Sequence, residues 1–249
     1  MMFPLSHGVM AAAAGWSPEA IAGKIAAWWD PSDTSTLFSD SGGSTPAQGD
    51  GDFIKRINDK SGNGFDLVFT KGVATLRISG GKYWVKVDQD AVTGSIEFGY
   101  FNSGIPVLNG DNTVCSGIGI IKQEAFQILF STSNGEDRQS WFVDSRTGGV
   151  NRLWESSDNL LIDLPQPIAS GSHVLTTQRR QGVVTGWADG NQGSEINSSV
   201  VGANDFFRVA YQQAGELYGS FDFYGSLLCS VLTQSERLNL EQWMAARLG

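Results

Sequence analysis

Apolar residues in this chain fall in short runs that alternate with polar positions, and Gly, Asn, Asp or Ser breaks each run within a few residues. Period-two alternation bounded by turn formers is the pattern of half-buried β-strands. Strands are predicted over 83–88, 113–121, 126–130, 141–144, 151–154, 206–211 and 221–231. Residues 172–178 and 183–188 predict a hairpin turning at 179–182. Upstream, 25–33 opens on a short apolar strand, and 53–64 is a second strand running into an Asp-x-Ser-Gly-Asn-Gly turn. The intervening stretch 39–52 is rich in Gly, Ser, Asp and Thr, carries Pro46, and predicts an exposed loop. No internal repeat of fixed period is present.

Two segments depart from this pattern. Thr233-Gln234-Ser235-Glu236 is a capping box, and Leu240, Met244 and Leu248 recur every four residues beside Trp243. That predicts an amphipathic helix over 233–248 packed on the sheets. At the other end, residues 1–24 form an apolar, small-residue arm. Within it Ser17 and Pro18 are placed as N-cap and first residue of a short helix that Gly23 ends. No Lys or Arg precedes the apolar run, and Pro4 and His7 interrupt it, which argues against a secretory signal. The expectation is an anchor, with Met1, Met2, Phe3, Leu5, Val9, Met10 and Trp16 gripping a partner or the domain itself.

Composition fits one large β-sandwich over 25–249 with no linker inside it. A chain of 249 residues buries roughly 70% of its unfolded surface, so the core needs neither disulfide nor metal. Thirty-one Gly imply many tight turns, hence many short strands. A net charge of −9 with pI near 4.6 repels phosphate backbones and anionic membranes, so nucleic-acid and membrane binding are not expected. No run of 18 apolar residues occurs. Cys115 and Cys229 sit in apolar strand contexts and read as buried free thiols, although spacing leaves a disulfide open.

Candidate chemistry is sparse. Asp59, Ser61 and Asn63 place oxygens at alternate positions with Gly64 sixth, like the opening of a Ca²⁺ loop, but Thr70 stands where the bidentate carboxylate belongs. The other reading of 59–64 is a turn built from Gly and side-chain-to-backbone bonds. A sandwich glycosidase needs carboxylates at i and i+2 of one strand. Glu136-Asp137 are adjacent and follow an Asn-Gly turn, and Glu155 and Asp158 lie in a Ser-rich turn. The histidines, His7 and His173, support no Ser-His-Asp triad, Gly-x-Ser-x-Gly is absent, and so is a phosphate-binding Gly-rich loop. No catalytic residue and no cofactor is therefore assigned. Trp84, Trp141, Trp154 and Trp187 are expected in the core. Trp28 and Trp29, adjacent on a strand, point to opposite faces, which leaves one of them to stack on a ligand.

Several stretches together resemble laminin-G-like (concanavalin A-like) jelly-roll domains, particularly those of tailed-phage structural proteins. They are Ile25-Ala26-Ala27-Trp28-Trp29-Asp30 with the later Asp59-Lys60-Ser61-Gly62-Asn63-Gly64, then Val184-Thr185-Gly186-Trp187-Ala188-Asp189-Gly190, Phe223-Tyr224-Gly225-Ser226-Leu227 and Leu232-Thr233-Gln234-Ser235-Glu236-Arg237. The resemblance implies an all-β, two-sheet antiparallel sandwich closed by a helix. It also implies a non-enzymatic virion protein, docked on other virion proteins through its arm and arranged as a homo-oligomer or symmetric array. The alternative is a lectin-like module that binds glycans, and a hydrolase is a third reading.

Overall fold

The computed structural model describes residues 15–69, 73–88, 101–105, 110–120, 127–133, 138–144, 150–155, 160–163, 171–197, 206–209 and 221–249. Its strands are β1 (Ile25–Trp29), β2 (Leu37–Phe38), β3 (Arg56–Ile57), β4 (Leu67–Phe69), β5 (Val73–Ser79), β6 (Lys82–Asp88), β7 (Phe101–Gly104), β8 (Asn112–Ile120) and β9 (Gln127–Ser133). They continue as β10 (Arg138–Asp144), β11 (Val150–Glu155), β12 (Leu160–Asp163), β13 (Gly171–Arg180), β14 (Val183–Ala188), β15 (Asn191–Asn197), β16 (Phe206–Val209) and β17 (Phe221–Cys229). One α-helix, α1 (Gln234–Ala245), follows.

All described pairings are antiparallel and fall into two sheets. The first has eight strands in the order β15-β14-β13-β8-β17-β6-β5, with β1 also on β17. The second has nine, β12-β11-β10-β9-β16-β7-β4-β3-β2. Two-residue turns fix register in the first sheet: Gly80-Gly81 joins β5 to β6, Gln181-Gly182 joins β13 to β14, and Asp189-Gly190 joins β14 to β15. Both residues of each turn have positive φ, the signature of type I′ turns, whose twist matches that of paired strands. This is the physical content of the Trp-x-Asp-Gly motif.

Alternation sorts the first sheet into two faces. Ala74, Leu76, Val85, Val87, Val114, Ile118, Leu175, Val184, Phe221 and Phe223 point inward and meet Leu37, Ile57, Leu67, Phe69 and Val209 of the second sheet. Trp29 and Ala27 join this inter-sheet core. On the outer face Trp28, Cys115, Val174, Leu227 and Cys229 pack beneath Leu240, Trp243 and Met244 of α1. The molecule is thus a jelly-roll sandwich with α1 as a third, partial layer. Both thiols lie in this outer layer as free cysteines, and burial pushes each well above the ordinary thiol range.

The capping box at Thr233 and Glu236 forms as expected. The helix nevertheless stops at Ala245, short of the expected 248, and Leu248 packs from beyond its end. Gly117 lets the helix lie on β8, because a Cβ there would come within 2.8 Å of Met244 Sδ. Gly225 serves the strand itself. β17 gives one edge to two partners, pairing with β6 through 221–223 and with β1 through 226–229. At the junction Gly225 has φ +140, and a Cβ there would stand 2.7 Å from the Trp29 carbonyl oxygen.

Residues 15–24 pack on the domain's own helix side. Trp16 and Ile21 reach the cluster under α1, and Lys24 bonds Glu236 at 2.7 Å. Ser17 occupies the N-cap position, but of a 3₁₀ helix (Pro18–Lys24), and its side chain makes no cap bond. Met1, Met2, Phe3, Leu5, Val9 and Met10 lie outside the described residues, as does His7.

Candidate functional site

Helix α1 covers only part of the outer face of the eight-stranded sheet. Beyond its C-terminal end the same face carries a polar and aromatic surface set by strand register. Thr75 of β5 stands opposite Lys86 of β6, Lys86 opposite Asp222 of β17, Asp222 opposite Gly119 of β8, and Gly119 opposite Ser172 of β13. One step along, Arg77 pairs with Trp84, whose ring meets that of Tyr224 at 5.9 Å and 35°.

Trp84 is partly exposed, whereas Tyr224 is buried at 4%. The Trp84 indole, whose N–H can only donate, acts on the Asp222 carboxylate and favours its ionised form. Tyr224 takes a hydrogen bond from Ser172 Oγ at 3.3 Å. Gly119 makes room for both neighbours: a Cβ there would lie 2.9 Å from Asp222 Cβ and 3.2 Å from the Tyr224 ring.

Burial pushes the Asp222 carboxyl up to about 6, against the opposing pull of the Trp84 N–H, Lys86 and Arg77. At neutral pH it is still ionised. Arg77 Nε donates to Asp50 Oδ1 at 3.0 Å, and Lys82 donates to the Ala246 carbonyl at the end of α1. The surface therefore offers a half-exposed indole beside a carboxylate and an ammonium. Those are the groups that stack on a ring and bond hydroxyls around its rim.

Trp28 and Trp29 do point to opposite faces, but the stacking expectation for them is corrected because both rings are covered. Trp28 is 5% exposed, edge-on to Trp243 at 5.8 Å with Lys60 Nζ 4.4 Å over its face. Trp29 is fully buried and donates to the Phe65 carbonyl at 2.7 Å.

Asp59, Ser61 and Asn63 are brought together, with their polar groups engaged by the protein itself. Asp59 Oδ1 accepts from the Trp28 and Ser61 amides at 2.9 and 2.8 Å, and Oδ2 accepts from Ser61 Oγ and the Phe65 amide at 2.7 and 3.1 Å. Asn63 Nδ2 donates to the Ala26 carbonyl at 3.0 Å. In this structure these bonds form the turn reading of 59–64, a clasp that fastens the loop to β1. His173 Nδ1 meets Asp189 Oδ2 at 2.7 Å, and Asp189 Oδ1 accepts from the Val174 amide at 2.9 Å, which ties the Asp-Gly turn down.

Trp187 is buried as expected. Trp84 is not, and that placement is a correction. The side chains of Trp141 and Trp154 lie outside the described residues. The missed signal was local: in Tyr83-Trp84-Val85-Lys86-Val87, Val85 and Val87 claim the core, so Trp84 and Lys86 must face away from it.

No protein-family profile matches the sequence, and no curated protein matches it. Solved structures do. The binding domain of botulinum neurotoxin serotype D/C aligns with TM-score 0.62 at 9% identity, over 91% of this chain and 53% of that one. Domain 4 of an extracellular arabinanase from Geobacillus stearothermophilus, solved with arabinotriose, gives 0.57 at 10%, over 88% and 98%. Trypanosoma rangeli sialidase gives 0.58 at 11%, over 90% and 33%. The chain thus spans about half of the neurotoxin domain and a third of the sialidase. At these identities the likeness establishes the jelly-roll sandwich alone.

Proposed function

We propose that this chain is a carbohydrate-binding, lectin-like module whose ligand lies on the outer face of the eight-stranded sheet, stacked on Trp84. The observation that carries the reading is the partly exposed Trp84 ring acting on the Asp222 carboxylate, with Lys86 opposite that carboxylate. An indole offers an apolar face to the C–H groups of a sugar ring, and the flanking charges reach its hydroxyls. The structural neighbours are compatible with it, since the arabinanase domain was solved with arabinotriose.

Binding is favoured over hydrolysis by the surroundings of Asp222. Cleaving a glycosidic bond takes a second carboxyl group across the sugar. The described groups that act on Asp222 are an indole and two cations. The virion-displayed role is left resting on the sequence resemblance alone. A glycan array followed by calorimetry on a hit tests the reading, with Trp84→Ala as comparator. Saturable binding lost in the variant supports it, and equal binding by both chains overturns the site.

A further inference from the structure

The same row of the sheet continues past β5 onto a second ring. Phe53 is 60% exposed and is the one large hydrophobic so exposed among the described residues. It forms an antiparallel bridge with Thr75, so the two side chains share the outer face. Phe53 therefore extends the line Thr75, Lys86, Asp222.

Its backbone is held on both sides. The Leu76 amide donates to the Asp52 carbonyl at 2.8 Å, and the Ile54 amide donates to the Ala74 carbonyl at 2.9 Å. Asp52 in turn accepts from the Gln48 and Gly49 amides at 2.9 and 2.8 Å, and Asp50 accepts from the Ile78 amide at 2.8 Å. The ring is thus presented on a loop fixed to the sheet edge, with its neighbour Ile54 fully buried as the anchor.

Two strand spacings and two residues of strand rise separate Phe53 from Trp84, a Cα distance of about 12 Å. That exceeds one sugar ring. Resting on the carbohydrate-binding reading, we propose that the ligand is a linear oligosaccharide laid across the strands, with one sugar on Trp84 and another, further along the chain, on Phe53. Between the rings stand Thr75 and Arg77 of β5, with Lys86 beside Trp84 on β6, and this polar row faces the intervening sugar.

The experiment is a chain-length series. Arabinose to arabinohexaose, xylose to xylohexaose and maltose to maltohexaose are titrated calorimetrically into the wild type, Phe53→Ala and Trp84→Ala. Phe53 is exposed, so its removal leaves folding intact. The expected result is affinity that rises with length in the wild type. Phe53→Ala should lose about ten-fold for the longer chains only, and Trp84→Ala should lose at every length. A length dependence unchanged in Phe53→Ala overturns the second subsite while leaving the Trp84 site standing. Dimerisation abolished by Phe53→Ala, with sugar affinity unaltered, makes the ring a contact between copies and overturns it too. Binding of no series by the wild type overturns the carbohydrate-binding reading and this inference with it.

Discussion

The Trp84 indole N–H of β6 acts on the Asp222 carboxylate of β17 and favours its ionised form, against the burial that disfavours it. Asp222 sits at about 6 because burial outweighs the help of the indole and the cations. A group raised in the folded state binds more protons there than in the unfolded chain, so its contribution to stability is fully present below about pH 4 and is lost as pH rises through about 6. Asp222→Asn removes that dependence. Relative to Asp222→Asn, the wild type should lose roughly 1–2 kcal/mol between pH 4 and 7, the partial solvent access of the group having been allowed for. Urea denaturation of both proteins at pH 4, 5, 6 and 7 reads the difference directly.

The same titration should appear in ligand binding. Above about pH 6 the ionised Asp222 accepts from sugar hydroxyls, and below it the protonated acid gives up part of that capacity. Affinity should fall as pH drops through about 6, and Asp222→Asn should flatten the profile. Calorimetric titrations at pH 5 and 7 provide the check.

The junction at Gly225 should tolerate no side chain. Its φ of +140 and the Trp29 carbonyl oxygen 2.7 Å from a prospective Cβ leave neither conformation nor space for alanine. Gly225→Ala should cost about 2 kcal/mol or more, measured by chemical denaturation. Gly23→Ala, where a Cβ would meet nothing within 4 Å, is the matched control.

Arg237 and Glu241 form a buried pair one turn apart on α1, at 2.6 Å, with the guanidinium 4.1 Å over the Trp187 ring. Burial raises the Glu241 carboxyl above its ordinary range despite this partner. Removing the cation alone strands the acid. Arg237→Ala should cost about 3 kcal/mol at pH 7, and less at pH 4, where the carboxyl protonates. Arg237→Leu with Glu241→Leu should be markedly less harmful. Thermal melts at the two pH values separate the single and double variants.

The fold was legible where local patterns were strong. Alternation placed β6, β8, β13, β14 and β17, and the capping box placed α1, because each rests on contacts within a few residues. The short β2 and β4 were missed, being held by neighbours distant in sequence rather than by their own pattern. So was β15, whose polar sequence Asn-Gln-Gly-Ser-Glu-Ile-Asn pairs, among the described residues, with β14. The site was harder to read. Trp28 and Trp29 announce themselves as a pair, yet the sheet covers one and α1 the other. The alternation of Val85 and Val87 already turns Trp84 away from the core, but whether anything covers it there is not written locally. Only tertiary structure decides which face of a strand a helix covers, and α1 stops short of Trp84.

The carbohydrate-binding reading stands on Trp84 as the stacking platform for a sugar. Tryptophan fluorescence, followed while an array-positive oligosaccharide is titrated into the wild type and Trp84→Ala at pH 7, tests it most directly. Saturable quenching is expected in the wild type, and its loss, with the affinity, in the variant. Equal affinity and equal quenching in both proteins contradict it.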